Sequence, residues 1–407
     1  MPYKAKHSAP IALHLLALGL SVSLAHANEL TDNISQALNN SDVAVNLRYR
    51  YENVDQDGIK NTANASTLRS RISLTSGKVG NFQGFIEVDN VAYIGDDKFN
   101  TTTNGKTQYP VVADPDYTEV NQAFIRYAFD HKNTVTFGQQ RINHDRQRFL
   151  GGVGWRQNEQ TYEAVRVQTT PLKNLQLDYS YIWEIDRIFD PDNKKSKFTG
   201  NTHALHGSYK IADHHKVTAY SYILDFDQAP ALSSKTYGVE YKGAVPLSDS
   251  SSLGIQLAAA KQKQHANNTA NYSANYYLGE VTTQFKPLSV SLGHEVLGSD
   301  NGTSFKTPLA TLHKFQGFAD KFLNTPAKGI KDSYVKVAGK AGAVKLTAFY
   351  HDFKAEKGNA NYGSELDLVA SYKISKHYSM LLKYAAYNAD DFASDTDKVV
   401  AMFTAKF

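Results

Sequence analysis

From Asp42 to the last residue, the chain alternates with a period of two. Val43, Val45, Leu47, Tyr49 and Tyr51 are interleaved with Asn46, Arg48 and Arg50. Leu175, Leu177, Tyr179, Tyr181 and Trp183 are set against Gln176, Asp178, Ser180 and Glu184, and Leu366, Leu368, Ala370 and Tyr372 against Glu365, Asp367, Ser371 and Lys373. Successive side chains of a strand point to opposite faces, so each segment has one apolar, aromatic face and one charged face. No helical period of comparable length follows residue 38. Segmenting at turn residues predicts about eighteen strands, from 42–52 and 66–76 at the start to 378–389 and 396–407 at the end. Their connections alternate long and short. Long ones fall near 53–65, 95–116, 141–159, 187–198 and 298–330, and short ones near 77–80, 130–132, 212–214 and 375–377. In an antiparallel series this places every long loop at one end.

A soluble sandwich has no reason to sort its loops by length. A transmembrane barrel does, with short periplasmic turns, long external loops and an even number of strands. In a bilayer every backbone N–H and C=O needs an internal partner, so the sheet must close on itself. The expected fold is all-β: an antiparallel up-and-down transmembrane barrel over residues 28–407. A mean hydropathy of −0.45 fits half-wet strands and polar loops. The final segment alternates Val399, Ala401, Phe403, Ala405 and Phe407 with Lys398, Thr404 and Lys406. A terminal aromatic in that setting reads as a signal for the barrel-insertion machinery. Residues 1–27 read as a cleaved signal peptide: Lys4 and Lys6 precede an apolar run from Ile11 to Leu24, and Ala25-His26-Ala27 ends it. That run is too short to span a bilayer. Without Lys4 and Lys6 the formal charge falls from +4 to +2. The expected location is the outer membrane of a Gram-negative bacterium, with lipid and lipopolysaccharide as neighbours.

The charged face of each strand gives the expected pore lining: Arg48, Arg50, Arg69, Arg71, Glu87, Asp89, Arg126, Arg166, Asp178, Glu184, Glu240, Glu280, Glu295, Glu365 and Asp367, with Lys242, Lys336, Lys345 and Lys383. Arginine is concentrated early, acid later. An Arg facing lipid near the midplane costs roughly 2–4 kcal/mol, so water-facing placement is the default. Such a lining either solvates the lumen and pairs across neighbouring strands or sets ion and solute preference. The loop with Arg141, Arg146, Arg148 and Arg156 among glycines folds inward as a constriction or lies outside against lipopolysaccharide phosphates. The loop near 298–330 carries Phe305, Leu309, Phe315, Phe318 and Phe322, too apolar for a floppy loop and suited to a packed plug or lid. With no Cys, a thiolate metal site and a Cys nucleophile are excluded. His144-Asp145 has no nucleophile at a recognisable spacing, and His203, His206 and His214-His215 read as sheet-end or turn residues. Neither catalysis, a metal nor a cofactor is expected, and the small net charge argues against nucleic acid.

Three segments add a resemblance. They are Arg141-Ile142-Asn143 through Gly152-Val153-Gly154-Trp155-Arg156-Gln157-Asn158 to Gln160-Thr161-Tyr162; Thr307-Pro308-Leu309-Ala310-Thr311-Leu312-His313-Lys314-Phe315 with Gly317-Phe318-Ala319-Asp320-Lys321-Phe322-Leu323; and Asp390-Asp391-Phe392 with Ser394-Asp395-Thr396-Asp397-Lys398. With the alternating body they resemble the alginate-export family of outer-membrane barrels. The resemblance implies a monomeric eighteen-stranded barrel whose arginine-rich lumen passes an anionic polysaccharide. The chain departs from that pattern in reading Gly138-Gln139-Gln140-Arg141 at the end of the fifth strand, in its later acids and in its length. A porin for small polar or anionic solutes and oligosaccharides is therefore expected ahead of a dedicated alginate exporter, a barrel enzyme or an adhesin.

Overall fold

The computed structural model describes residues 24–407, with side chains described from Thr31. The leader expected over 1–27 lies outside the described residues, apart from 24–27, which open the helix α1 (Leu24–Asn39). The period-2 reading had not marked this helix. Its Ala37 carbonyl accepts the Gly77 N–H at 2.8 Å, which seats the helix against a short turn.

Eighteen barrel strands follow: β1 (Asp42–Gln56), β2 (Ala63–Thr75), β3 (Phe82–Lys98), β4 (Thr118–Ala128), β5 (Thr134–Gln140), β6 (Thr161–Leu172), β7 (Leu175–Asp186), β8 (Lys197–Ala212), β9 (His215–Leu224), β10 (Ser234–Pro246), β11 (Ser251–Gln264), β12 (Ser273–Phe285), β13 (Leu288–Leu297), β14 (Ile330–Ala341), β15 (Val344–Lys354), β16 (Asn361–Lys373), β17 (Tyr378–Ala389) and β18 (Thr396–Lys406). Each pairs antiparallel with its neighbours in sequence. β18 returns to β1, from Asn46↔Lys406 to Gln56↔Thr396, so the sheet has no free edge.

The outer face is what a bilayer selects. Ile72 is 56 % exposed and Leu292 59 %, and Leu205, Leu257, Leu346, Leu382 and Phe403 continue the same belt. An apolar belt of that extent has no aqueous explanation. Inside, polar and charged side chains are buried, Arg50, Glu52, Asp89, Glu365 and Asp367 among them.

The strands often outrun the alternation that predicted them. β1 continues to Gln56 rather than ending near 52. Beyond Tyr51 the outward residues Asn53 and Asp55 sit where apolar contact is no longer needed, so the pattern fades while the ladder continues. Bulges interrupt the upper parts of several pairs, at Ala65/Thr67, Glu87/Val88, Glu163/Ala164 and Ile182/Glu184. Each moves the side-chain alternation by one position. Glu184 is corrected on this account. Ile182 and Ile185 are both buried, and Glu184 falls on the opposite face, with Glu163, Asp186 and the Lys197 ammonium. It does not line the pore.

Candidate functional site

Two long loops occupy the lumen. One joins β5 to β6 (141–160) and the other joins β13 to β14 (298–329). They are held together by backbone bonds: Gly151 N–H donates to Leu309 O at 2.9 Å, and Thr311 N–H to Gln147 O at 3.0 Å. Gly151 is required at this crossing, because a Cβ would stand 2.7 Å from Thr311 Oγ1. Leu150, Phe305 and Leu309 are fully buried between the loops and the wall. The apolar content of the second loop is thus spent on packing. The first loop, left open between an inward and an outward position by its sequence, lies inside, and Arg141, Arg146, Arg148 and Arg156 go with it.

Ion pairs tie these loops to the wall. Glu159 receives Arg71 at 3.0 Å and Arg69 at 3.5 Å, and Arg141 closes on the same carboxylate. Burial raises the Glu159 pKa, but the three guanidiniums outweigh it and hold it at about 2. Arg71 also pairs with Asp89 and Glu87, and Arg141 reaches Glu87 at 3.1 Å. A second hub gathers Arg156, which meets Glu52 at 3.0 Å, Asp320 at 3.3 Å and Asp114 at 3.6 Å. Arg50 and Lys398 pair into the same set. Arg48 spends its guanidinium on loop acceptors: Gln157 Oε1 at 2.8 Å, Gly154 O at 2.9 Å and Arg156 O. Arg148 pairs with Glu295 at 2.9 Å, and Arg166 grips Asp178. The expected early arginines are therefore in the lumen but mostly neutralised. Glu52, Asp114, Gln157, Glu159 and Asp320 were missed by the sequence reading, which had no means of pairing residues 88 to 164 positions apart.

The later residues frame the rest of the opening. Glu365 and Asp367 accept the backbone N–H groups of Ala319 at 2.6 Å and Phe318 at 3.3 Å, which pins the second loop to β16. Tyr334 Oη donates to Glu280 at 2.6 Å, and Glu240 lies two strands away on β10. Arg126 donates to Thr136 at 3.4 Å and lies over the Phe124 ring, 5.4 Å from its centre. His313 stacks on Trp155 with ring centres 4.1 Å apart. Burial first, then the neighbouring Lys383, pushes the His313 pKa to about 3 despite Asp320, so the ring is neutral. Its Nδ1–H donates to Asp320 at 2.7 Å and its Nε2 accepts from Lys383 at 3.0 Å. The Lys383 ammonium lies 3.9 Å from the Trp155 ring centre and 3.7 Å from that of Phe318.

Cavities lie on different sides of the segment 312–320. One of about 470 Å³ is bordered by Trp155, Arg187, Phe198, Leu312, His313 and Asp320. Another of about 310 Å³ is bordered by Arg146, Glu280, Phe315, Phe318, Tyr334 and Lys336. A third, about 780 Å³, opens near the short turn 212–214 beside Lys210, Lys216 and Lys242. Among the described residues, the one acidic group with metal-like spacing is Glu163, Glu184 and Asp186, which Lys197 already neutralises in part.

A closed eighteen-stranded barrel, an apolar outer belt and a lumen narrowed by two inward loops define an outer-membrane channel of the porin type. The chain belongs to the Alginate export family, whose profile matches residues 39–307. Its barrel is similar to that of Acinetobacter baumannii OccAB2, at 15% identity and TM-score 0.71 over 91% of this chain and 99% of that one. Pseudomonas aeruginosa OccK9 (OpdG) is similar at 11% identity and TM-score 0.72, over 91% and 100%. Pseudomonas aeruginosa OpdK, crystallised with vanillate, is similar at 13% identity and TM-score 0.72, over 91% and 99%. No curated protein sequence matches the chain. The protein is an outer-membrane channel of a Gram-negative bacterium.

Proposed function

We propose that the channel passes small anionic solutes. The observation that carries this reading is the balance of unpaired charge facing the lumen. Arg146, Lys383, Lys336, Lys242, Lys345 and Arg126 have no carboxylate at ion-pair distance among the described residues. Of the lumen acids without a Lys or Arg at ion-pair distance among the described residues, Asp332, Glu365 and Asp367 are buried against His351 and the N–H groups of Phe318 and Ala319, which leaves Glu119, Glu240 and Glu280 open. A net positive surface at a narrow passage lowers the barrier for anions and raises it for cations. The cavities are the size of small-molecule sites rather than of a polymer track. Vanillate, the ligand of OpdK, is a small carboxylate and agrees with this class. A dedicated polysaccharide exporter is the weaker reading, because both loops would have to leave their buried ion pairs for a chain to thread.

Purified protein in a planar bilayer should show stepwise conductance and, in a salt gradient, a reversal potential of anion-selective sign. Lys383→Gln with Lys336→Gln should lower the anion-to-cation permeability ratio by about threefold, since it removes two half-buried lumen cations that no carboxylate offsets. Cation preference in the parent protein would overturn the reading. Arg69→Ser should lower thermal stability more than it shifts selectivity, since Arg69 is turned to Glu159.

The barrel closes within one chain, which supports a monomeric channel. A leader ending at Ala27 would deliver it across the inner membrane. Phe407, 57 % exposed with its ring 5.5 Å from that of His377, is positioned to be read during insertion. Its deletion should reduce the heat-modifiable folded band from membranes severalfold, with unfolded chain accumulating in the periplasm.

A further inference from the structure

The 470 Å³ cavity on the outer side of the loops holds a cation that the ion-pair hubs do not use. Arg187 follows β7 directly and lies outside the membrane-spanning strands. Its guanidinium is sandwiched by two rings, 4.4 Å from the centre of Phe198 and 5.0 Å from that of Phe189. Nη1 donates to Lys195 O at 3.2 Å, while Nε is buried without any partner. Among the described residues, no carboxylate lies within ion-pair distance of it. Burial pushes its pKa down to about 10, which records how little water or counter-charge reaches it. The acid bordering the cavity, Asp320, is occupied by His313, Arg156 and Lys398. Lys194 and Lys195 flank the mouth.

Ile188, Leu232, Pro308, Ala310, Leu312 and Leu323 make much of the remaining wall, with the amides Gln160, Gln228 and Asn324 beside them; Gln160 and Gln228 already donate to Tyr162 and Thr199. A guanidinium with free donors is a planar fork shaped for a carboxylate, and it binds most tightly where desolvated. The surrounding wall rewards apolar area and penalises hydroxyl groups it cannot satisfy.

The geometry points to a capture site, outside the constriction, for a small monocarboxylate with an apolar body. Arg187 takes the carboxylate, and the Leu232–Pro308–Leu323 wall takes the body. The inference deepens the small-anion reading and rests on it for its physiological meaning. It also separates solutes that charge alone does not. A uronate has the same carboxylate but a hydroxylated ring, and should bind poorly here.

The chain has two tryptophans, Trp155 and Trp183, and Trp155 borders the cavity while Trp183 lies beside Glu163. In a Trp183→Phe background Trp155 is the sole tryptophan, and red-edge excitation selects it over the tyrosines. Titrating 3-phenylpropionate into that protein in nanodiscs should give a saturable change in Trp155 emission, and galacturonate at the same concentrations should give none. Arg187→Gln should weaken phenylpropionate binding by at least tenfold. Leu323→Trp is unsuitable in this assay, so Leu323→Phe serves to fill the apolar wall, and it should weaken binding while leaving Arg187 in place. Equal binding of galacturonate, or undiminished binding in both variants, would overturn the site. Conductance measured on the same preparation keeps the two proposals apart. A conducting, anion-selective channel without phenylpropionate binding sinks the capture site alone, whereas a channel of cationic preference sinks the broader reading whatever the fluorescence shows.

Discussion

Replacing Arg156 with alanine should open the channel. The side chain is buried and meets Glu52, Asp114 and Asp320, so it joins the first inward loop to β1 and to the second loop at once. Removing it leaves Glu52 facing Arg50 and Lys398, and Asp114 with Arg50 and the Gln157 N–H. Breaking one partner out of a buried ionic cluster costs ~3–5 kcal/mol, since the remaining charge cannot be rehydrated in place. The barrel does not bear this cost, because its strand ladder closes without the loops. The loops do. A shift of that size is more than a factor of 100 in a local equilibrium, at about 1.4 kcal/mol per tenfold. Single-channel conductance should therefore rise by about twofold or more, with longer open events. Arg156→Lys keeps one charge but loses the fork, and should fall between. Unchanged conductance in Arg156→Ala would show that this hub does not hold the constriction.

Gly317→Ala should act on the other side of the passage. Gly317 has φ +80°, a conformation that costs an L-residue roughly 1 kcal/mol or more. A Cβ at this position would also overlap the Glu365 carboxylate. To relieve the overlap, the Glu365 carboxylate must swing aside and give up the Ala319 N–H, while the strained backbone at 317 loosens the Phe318 bond to Asp367. Recordings should show frequent flicker between conductance levels where the parent is steady. Glu365→Ser separates the causes. It removes one acceptor but leaves the glycine, so its traces should be quieter than those of Gly317→Ala. If the two variants behave alike, the acceptor rather than the backbone conformation holds the segment.

Both predictions concern residues whose partners lie far away in sequence, which marks the boundary of what could be read from it. The alternation of Leu366, Leu368 and Ala370 with Glu365 and Asp367 was enough to place β16 and its faces, because a strand in a bilayer has no other way to satisfy lipid on one side and water on the other. The same reasoning failed at Glu184, where the bulge at Ile182/Glu184 inserts a residue that the hydropathy pattern does not register. It also failed at α1, whose packing on the turn at Gly77 is a tertiary contact.

The functional residues divide in the same way. Arg48, Arg50, Arg69 and Arg71 were legible as lumen residues from their parity on β1 and β2. Their role was not. The sequence left them open between a lining that sets preference and one that solvates and pairs; in the structure Glu159, Asp114 and Gln157 meet them and make them staples. Among the described residues, the cations left without a carboxylate are instead mostly later ones, Lys242, Lys336, Lys345 and Lys383, together with Arg126, Arg146 and Arg187. The sequence by itself determined the barrel, its strand number, its lipid face and, where no bulge intervenes, which strand side chains turn inward, because each follows from a local period repeated against two solvents. Only the tertiary structure decided which charges cancel. Pairing inside a closed lumen depends on how two loops of the chain fold back between distant strands, and Coulomb energy depends on distance in space, not along the chain.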